Sequence, residues 1–262
     1  MASILPSATK REEQPETLSS RAVVIGSIVG ITLLAWAYLA YQAWAMDHMG
    51  RVNMAMPGIH SWGAWDLALV FMMWAVMMTG MMVPSVSPVV LLFDRIQHER
   101  RAHGQPFIAS WLFLFGYLLV WTGFSLAATL VQWGLHAAML ISPAMVSTSP
   151  LLGGAVLIAA GIYQWTPAKH ACLARCGSPL SFVINEWRDG NGGALAMGAR
   201  HGLYCTGCCW LLMLVLFVVG VMNLLWIALL TLFVLLEKNL PQGLWISRAS
   251  GAALIFWGGW MM

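Results

Sequence analysis

The chain has 262 residues, 60% of them hydrophobic and 9% charged, with 15 Trp, 18 Met and a formal net charge of +3. Soluble domains carry roughly 25% charged residues, so this composition excludes a water-soluble fold and points to an all-α, multi-pass transmembrane bundle in a lipid bilayer. The small positive balance makes no case for a nucleic-acid partner, because the basic residues serve membrane topology.

Residues 1–20 are polar, with Lys10, Arg11, Glu12, Glu13 and Glu16 and no early apolar core. They read as a short disordered cytoplasmic tail rather than a secretory signal, leaving 21–262 as a single transmembrane domain. A spanning helix needs about 20 apolar residues. Such segments run from Arg21 to Trp44, Trp65 to Phe93, Phe107 to Leu135 and, more briefly, Leu151 to Trp165. The apolar run Leu203–Leu236 is too long for one helix, and Gly220–Asn223 offers a turn inside it, so it reads as two short spans. A seventh span covers Trp245 to Met262. With the N-terminus inside, 12 of the 13 Lys and Arg residues fall on inner segments and only Arg51 falls outside. Short cytoplasmic loops carry this excess. The expectation is therefore seven spans, N-terminus cytoplasmic and C-terminus outside.

Chemistry-bearing residues occur at three depths. The outer loop from Met46 to His60 offers His48, His60 and several Met. The second span reads F-M-M-W-A-V-M-M-T-G-M-M-V-P. Met73, Met77 and Met81 recur there at four-residue steps, with Met78 and Met82 as a second pair, so each set lines one helix face. Thioethers favour Cu(I), although Met also serves as a flexible filler of apolar interfaces. Pro84 and Pro88 are expected to kink or break this helix and to free carbonyls that a neighbour must satisfy. On the inner side, all five cysteines and two histidines lie in one window: His170, Cys172 and Cys176, then His201, Cys205, Cys208 and Cys209. At 3.6 residues per turn, His201, Cys205 and Cys208 share one side of a helix while Cys209 is displaced. A reducing compartment disfavours disulfides. Arg175, Arg200 and a helix N-terminus nearby would activate the thiols. The spacing is not that of a structural zinc site. Packing as small hydrophobes and S-acylation of Cys172 and Cys176 compete with metal binding.

Other polar residues carry less. Asp66 reads as a helix cap, His136 near Gln132 as a headgroup-level residue, and His98 and His103 among Arg95, Arg100 and Arg101 as a solvated basic loop. Glu237 reads either as a partner of the thiol cluster or as a helix-end pair with Lys238. The many Trp residues near span ends, among them Trp36, Trp44, Trp62, Trp65, Trp111 and Trp133, read as interfacial anchors. No enzymatic constellation stands out.

The blocks W-A-V-M-M-T-G-M-M-V-P-S, G-L-Y-C-T-G-C-C-W and G-V-M-N-L-L-W…L-E-K-N-L-P together resemble a bacterial family of integral membrane proteins described only as predicted metal-binding, a domain of unknown function. The resemblance covers most of the chain beyond the first span. It implies an inner-membrane protein that handles metal, with Cys205, Cys208, Cys209, Met81, Met82 and Glu237 as motif positions. The leading expectation is Cu(I) import, or relay to a membrane cuproenzyme, through the Met ladder to the Cys/His site, with copper favoured over zinc. Alternatives are a non-catalytic accessory subunit of a membrane complex, paired with a protein partner or its own copies, and a membrane thiol redox protein.

Overall fold

A computed structural model describes residues 15–47, 62–140, 149–240 and 242–262. Among the described residues every regular element is a helix. In chain order these are α1 (Pro15–Asp47), α2 (Ala64–Ala102), α3 (Ser110–Ala137), α4 (Pro150–Tyr163), α5 (Pro167–Cys176), α6 (Pro179–Glu186), α7 (Gly190–Leu214), α8 (Leu216–Val219), α9 (Leu224–Asn239) and α10 (Gly243–Met261). Helix α1 begins at Pro15, inside the segment expected as a tail; residues 1–14 lie outside the described ones.

Among the described residues, four helical stretches are long and apolar enough to cross a membrane: Arg21–Ala45, Ala64–Ala102, Ser110–Ala137 and Gly190–Val219. A fifth is added if α4 and α5, bent by 66° at Tyr163–Pro167, make one broken span. The expected sixth and seventh spans correspond to α9 and α10. Helix α9 has 16 residues, about 24 Å of helix, and falls short of the roughly 30 Å hydrocarbon thickness. The break before it is where the turn residues placed it. Gly220 adopts φ +101°, a left-handed value that glycine reaches without steric cost, and the Asn223 side chain caps α9 by accepting from Trp226 N.

Helix α2 runs unbroken for 39 residues through Pro84 and Pro88, contrary to a break there. Each proline deletes one N–H and orphans the carbonyl four residues back, and both orphans are met. Trp36 Nε1 of α1 donates to Gly80 O at 3.3 Å, and Ser87 Oγ donates to Pro84 O at 2.8 Å. Trp36 is thus a partner of α2 rather than an interfacial anchor, whereas Trp65 and Trp111 are exposed. At roughly 58 Å, α2 carries Asp94–Ala102 past the apolar layer as helix, correcting the solvated loop expected there. Asp94 accepts from Ser110 Oγ at 2.6 Å, and Arg100 pairs with Asp189 at 2.6 Å.

The bundle is drawn together where glycines let backbones touch, the usual device of membrane helix pairs. A Cβ on Gly116 of α3 would strike Leu195 O of α7, and one on Gly198 would strike Phe113 O. Gly154 and Gly161 of α4 face Gly258 and Gly251 of α10 in the same way. Because α3 and α7 carry the candidate site between them, Gly198→Ala is expected to force them apart. The expected cost is about 1–3 kcal/mol, read as a lower unfolding temperature in detergent and weaker metal binding.

Candidate metal centre

The segment expected as a cytoplasmic loop after the fourth span folds into α5 and α6 and packs back on α7. Helix α5 ends at Cys176, which it delivers against the second half of α7. The cysteines of α7 are not at the start of their helix, since α7 begins at Gly190. They lie inside the bundle, with Cys205, Cys208 and Cys209 at 0% exposure and Cys176 at 5%.

The four thiols lie near one another. Cys176 and Cys209 are each within electrostatic range of Cys205 and Cys208. The Cys208 and Cys209 thiols each point at the Cys205 carbonyl, 3.0 Å away. This i−3/i−4 back-bonding brings Cys209 into the group despite its displaced helical position. His201 Nε2 lies 3.9 Å from Cys176 Sγ. Its ring is walled by Phe182, Tyr117 and Phe113, and its buried Nδ1 has no partner among the described residues. All five cysteines are free thiols.

Two polar groups converge on Cys205. Tyr117 Oη of α3 is 3.0 Å from its sulfur, and Lys238 Nζ of α9 is 2.9 Å away. Lys238 also donates to Ser85 Oγ of α2 at 3.2 Å, and Tyr117 donates to Met82 O at 3.2 Å. The cation at the thiols is therefore Lys238, not the expected arginines. Arg175 lies over the Tyr204 ring and donates to its hydroxyl, while Arg200 pairs with Glu186. Glu237, expected beside either the thiols or Lys238, instead forms an ion pair with Lys169 of α5 at 2.7 Å, both side chains fully buried. Adjacent helix residues point about 100° apart, so Glu237 and Lys238 serve different partners. Neither Lys169 nor Lys238 was singled out from the sequence as a site residue. The available signal was two ionisable groups closing an apolar helix.

His170 stands apart, with Nε2 3.1 Å from Gln164 O. Cys172 is half-buried against α7, where a Cβ on Gly207 would come within 2.8 Å of its sulfur. These two are not gathered into the thiol group. Cys176, an acylation candidate on sequence grounds, directs its thiol inward. Met73, Met77, Met78, Met81 and Met82 are all buried and belong to the same contiguous core as the four thiols. The ladder therefore approaches the thiols at the level of Met82 and Ser85. The Asp66 cap forms, accepting from Gly63 N at 2.8 Å. Gln132 is drawn into the core, where it accepts from Trp74 Nε1 at 2.6 Å. The half-buried Trp62 packs on His136 at 4.8 Å. His48 and His60 lie outside the described residues.

Thiol, thioether and imidazole are soft or borderline donors that suit Cu(I). Among the described residues no three Cys, His, Asp or Glu side chains converge as ligands to one point, so the group is not a preset tetrahedral site of the structural zinc type. It offers a cluster of neighbouring buried sulfurs instead.

No curated protein and no solved structure matches the chain at a significant level. Residues 71–261 match the family model described as PpoB2, copper chaperone. The match covers nearly three quarters of the chain, and the thiol group, Lys238 and the methionine ladder all fall inside it. From its second helix onward, then, this chain belongs to the PpoB2 copper chaperone family.

Proposed function

We propose that the protein is a multi-pass inner-membrane copper chaperone that takes Cu(I) through the methionines of α2 and holds it between thiols of Cys176, Cys205, Cys208 and Cys209, for import or relay to a membrane cuproenzyme. The observation that carries this reading is the clustering of four buried thiols, from α5 and α7, inside a segment that matches a copper chaperone family. Thiolates bind Cu(I) more tightly than thioethers do, so the thiols stand at the downhill end of the ladder. A cargo site must also release its metal, and sulfur pairs without a full ligand cage suit transfer. Seven spans with the N-terminus inside complete the reading. On that topology α9 and α10 cross as short helices.

The test is metal analysis of the full chain loaded with Cu(I) under reducing conditions. Wild type is expected to hold about one to two equivalents, by the preference of thiolate sites for this ion. The variant with all five cysteines replaced by serine is expected to hold none. A Met77→Leu/Met81→Leu variant should keep the stoichiometry in detergent. In vesicles it should load more slowly from the outer side. Equal copper content in wild type and the cysteine-free chain overturns the proposal and favours the accessory-subunit reading, in which the thiols only pack.

A further inference from the structure

We infer that Lys238 makes the thiol site selective for monovalent over divalent metal ions; this rests on the Cu(I) reading above and names the specificity of the same site. Lys238 is 5% exposed, with its Nζ at 2.9 Å from Cys205 Sγ and 3.2 Å from Ser85 Oγ. Among the described residues no carboxylate lies within ion-pair distance of it. Its neighbour Glu237 is committed to Lys169, and the buried Asp94 is held by Ser110. The balancing negative charge for Lys238 therefore comes from the thiol cluster, which it touches at Cys205.

A thiol binds metal as thiolate. One Cu(I) between two thiolates carries a charge of minus one, and the Lys238 ammonium brings the buried assembly to zero. A dication on the same two thiolates leaves the assembly at plus one, and an uncompensated charge in a desolvated site is heavily penalised. A third thiolate would restore neutrality for a dication, but no three ligands converge here. Geometry and charge thus exclude the dication together, where neither would do so alone.

Two isoelectronic pairs test this, Cu(I) against Zn(II) and Ag(I) against Cd(II), since within each pair the electron count is fixed and the charge changes by one. Affinities are measured by competition on the full chain in nanodiscs, for wild type, for Lys238→Met and for Ser85→Asp. The first variant removes the cation and the second places a carboxylate beside it. Both are expected to raise the dication's affinity relative to the monocation's by at least about tenfold, in both pairs, as expected for one unit charge at close range. Ratios that stay at the wild-type value in either folded variant, while Cu(I) still binds, overturn the inference alone. Failure of wild type to bind Cu(I) overturns the copper reading and this inference with it.

Discussion

Replacing Cys205 and Cys208 together by serine is expected to abolish high-affinity Cu(I) binding, whereas Cys172→Ser is expected to leave it within about twofold of wild type, well under the tenfold that 1.4 kcal/mol represents. The contrast follows from position. Cys205 and Cys208 lie between Cys176 and Cys209 in the cluster's electrostatic links, and Cys205 is also contacted by Tyr117 and Lys238. Their removal leaves Cys176 and Cys209 without the two sulfurs that connect them. Cys172 sits one turn earlier on α5, half-buried, with its sulfur beside the space left by the missing side chain of Gly207. Serine is close to cysteine in volume, and at position 208 its hydroxyl can bond the same carbonyl three residues back that the thiol does, so the fold should survive. The check is titration with a chromogenic Cu(I) chelator, read beside the unfolding temperature of each variant. Equal loss in Cys172→Ser would mean that the site is larger than the four clustered thiols. His170→Ala is expected to behave like Cys172→Ser, because its imidazole is engaged with Gln164 O.

What could be read from the sequence was local. The face shared by His201, Cys205 and Cys208 follows from helical period alone, and the break at Gly220–Asn223 follows from turn chemistry. What could not be read depended on how one helix is rotated against another. Glu237 and Lys238 are neighbours in sequence, and only the packing of α9 against α2 and α5 decides which of them meets the thiols. Pro84 and Pro88 looked like breaks because their orphaned carbonyls were visible in the sequence, while their remedies were not obvious there. One remedy comes from Trp36 on another helix and the other from a serine hydroxyl one residue before the second proline. Cys176 looked like a loop residue because it falls between the fourth and fifth apolar runs. It joins α7 only because α5 folds back, with the Gly177 Cα close enough that a Cβ would come within 2.9 Å of Lys238 O.

The Lys169–Glu237 pair supports the second large effect. Glu237→Gln is expected to destabilise the protein by about 3–5 kcal/mol, the usual cost of stripping one partner from a buried ion pair. The environment argues for the upper end of that range. Without Glu237, Lys169 stays fully buried with no carboxylate within ion-pair distance among the described residues. Lys169→Met removes a cation instead of stranding one, and leaves Glu237 free to take up a proton, so it should cost less than Glu237→Gln. The double variant Lys169→Met/Glu237→Leu replaces both charges by apolar groups of similar size and is expected to recover most of the loss. Replacing a whole buried pair is often neutral, whereas breaking one is not. Thermal unfolding of the four proteins in one detergent reads the coupling directly, as the amount by which the two single losses exceed the double. Copper affinity adds a second readout. If the pair is scaffolding that aims Lys238, the double variant should bind Cu(I) as wild type does. Glu237→Gln should bind it more weakly, because the stranded Lys169 pulls α5, and with it Cys176, away from α7. Additive losses across the cycle would mean that the two charges do not act on each other, and that α5 is held to α9 by the Gly177 backbone contact alone.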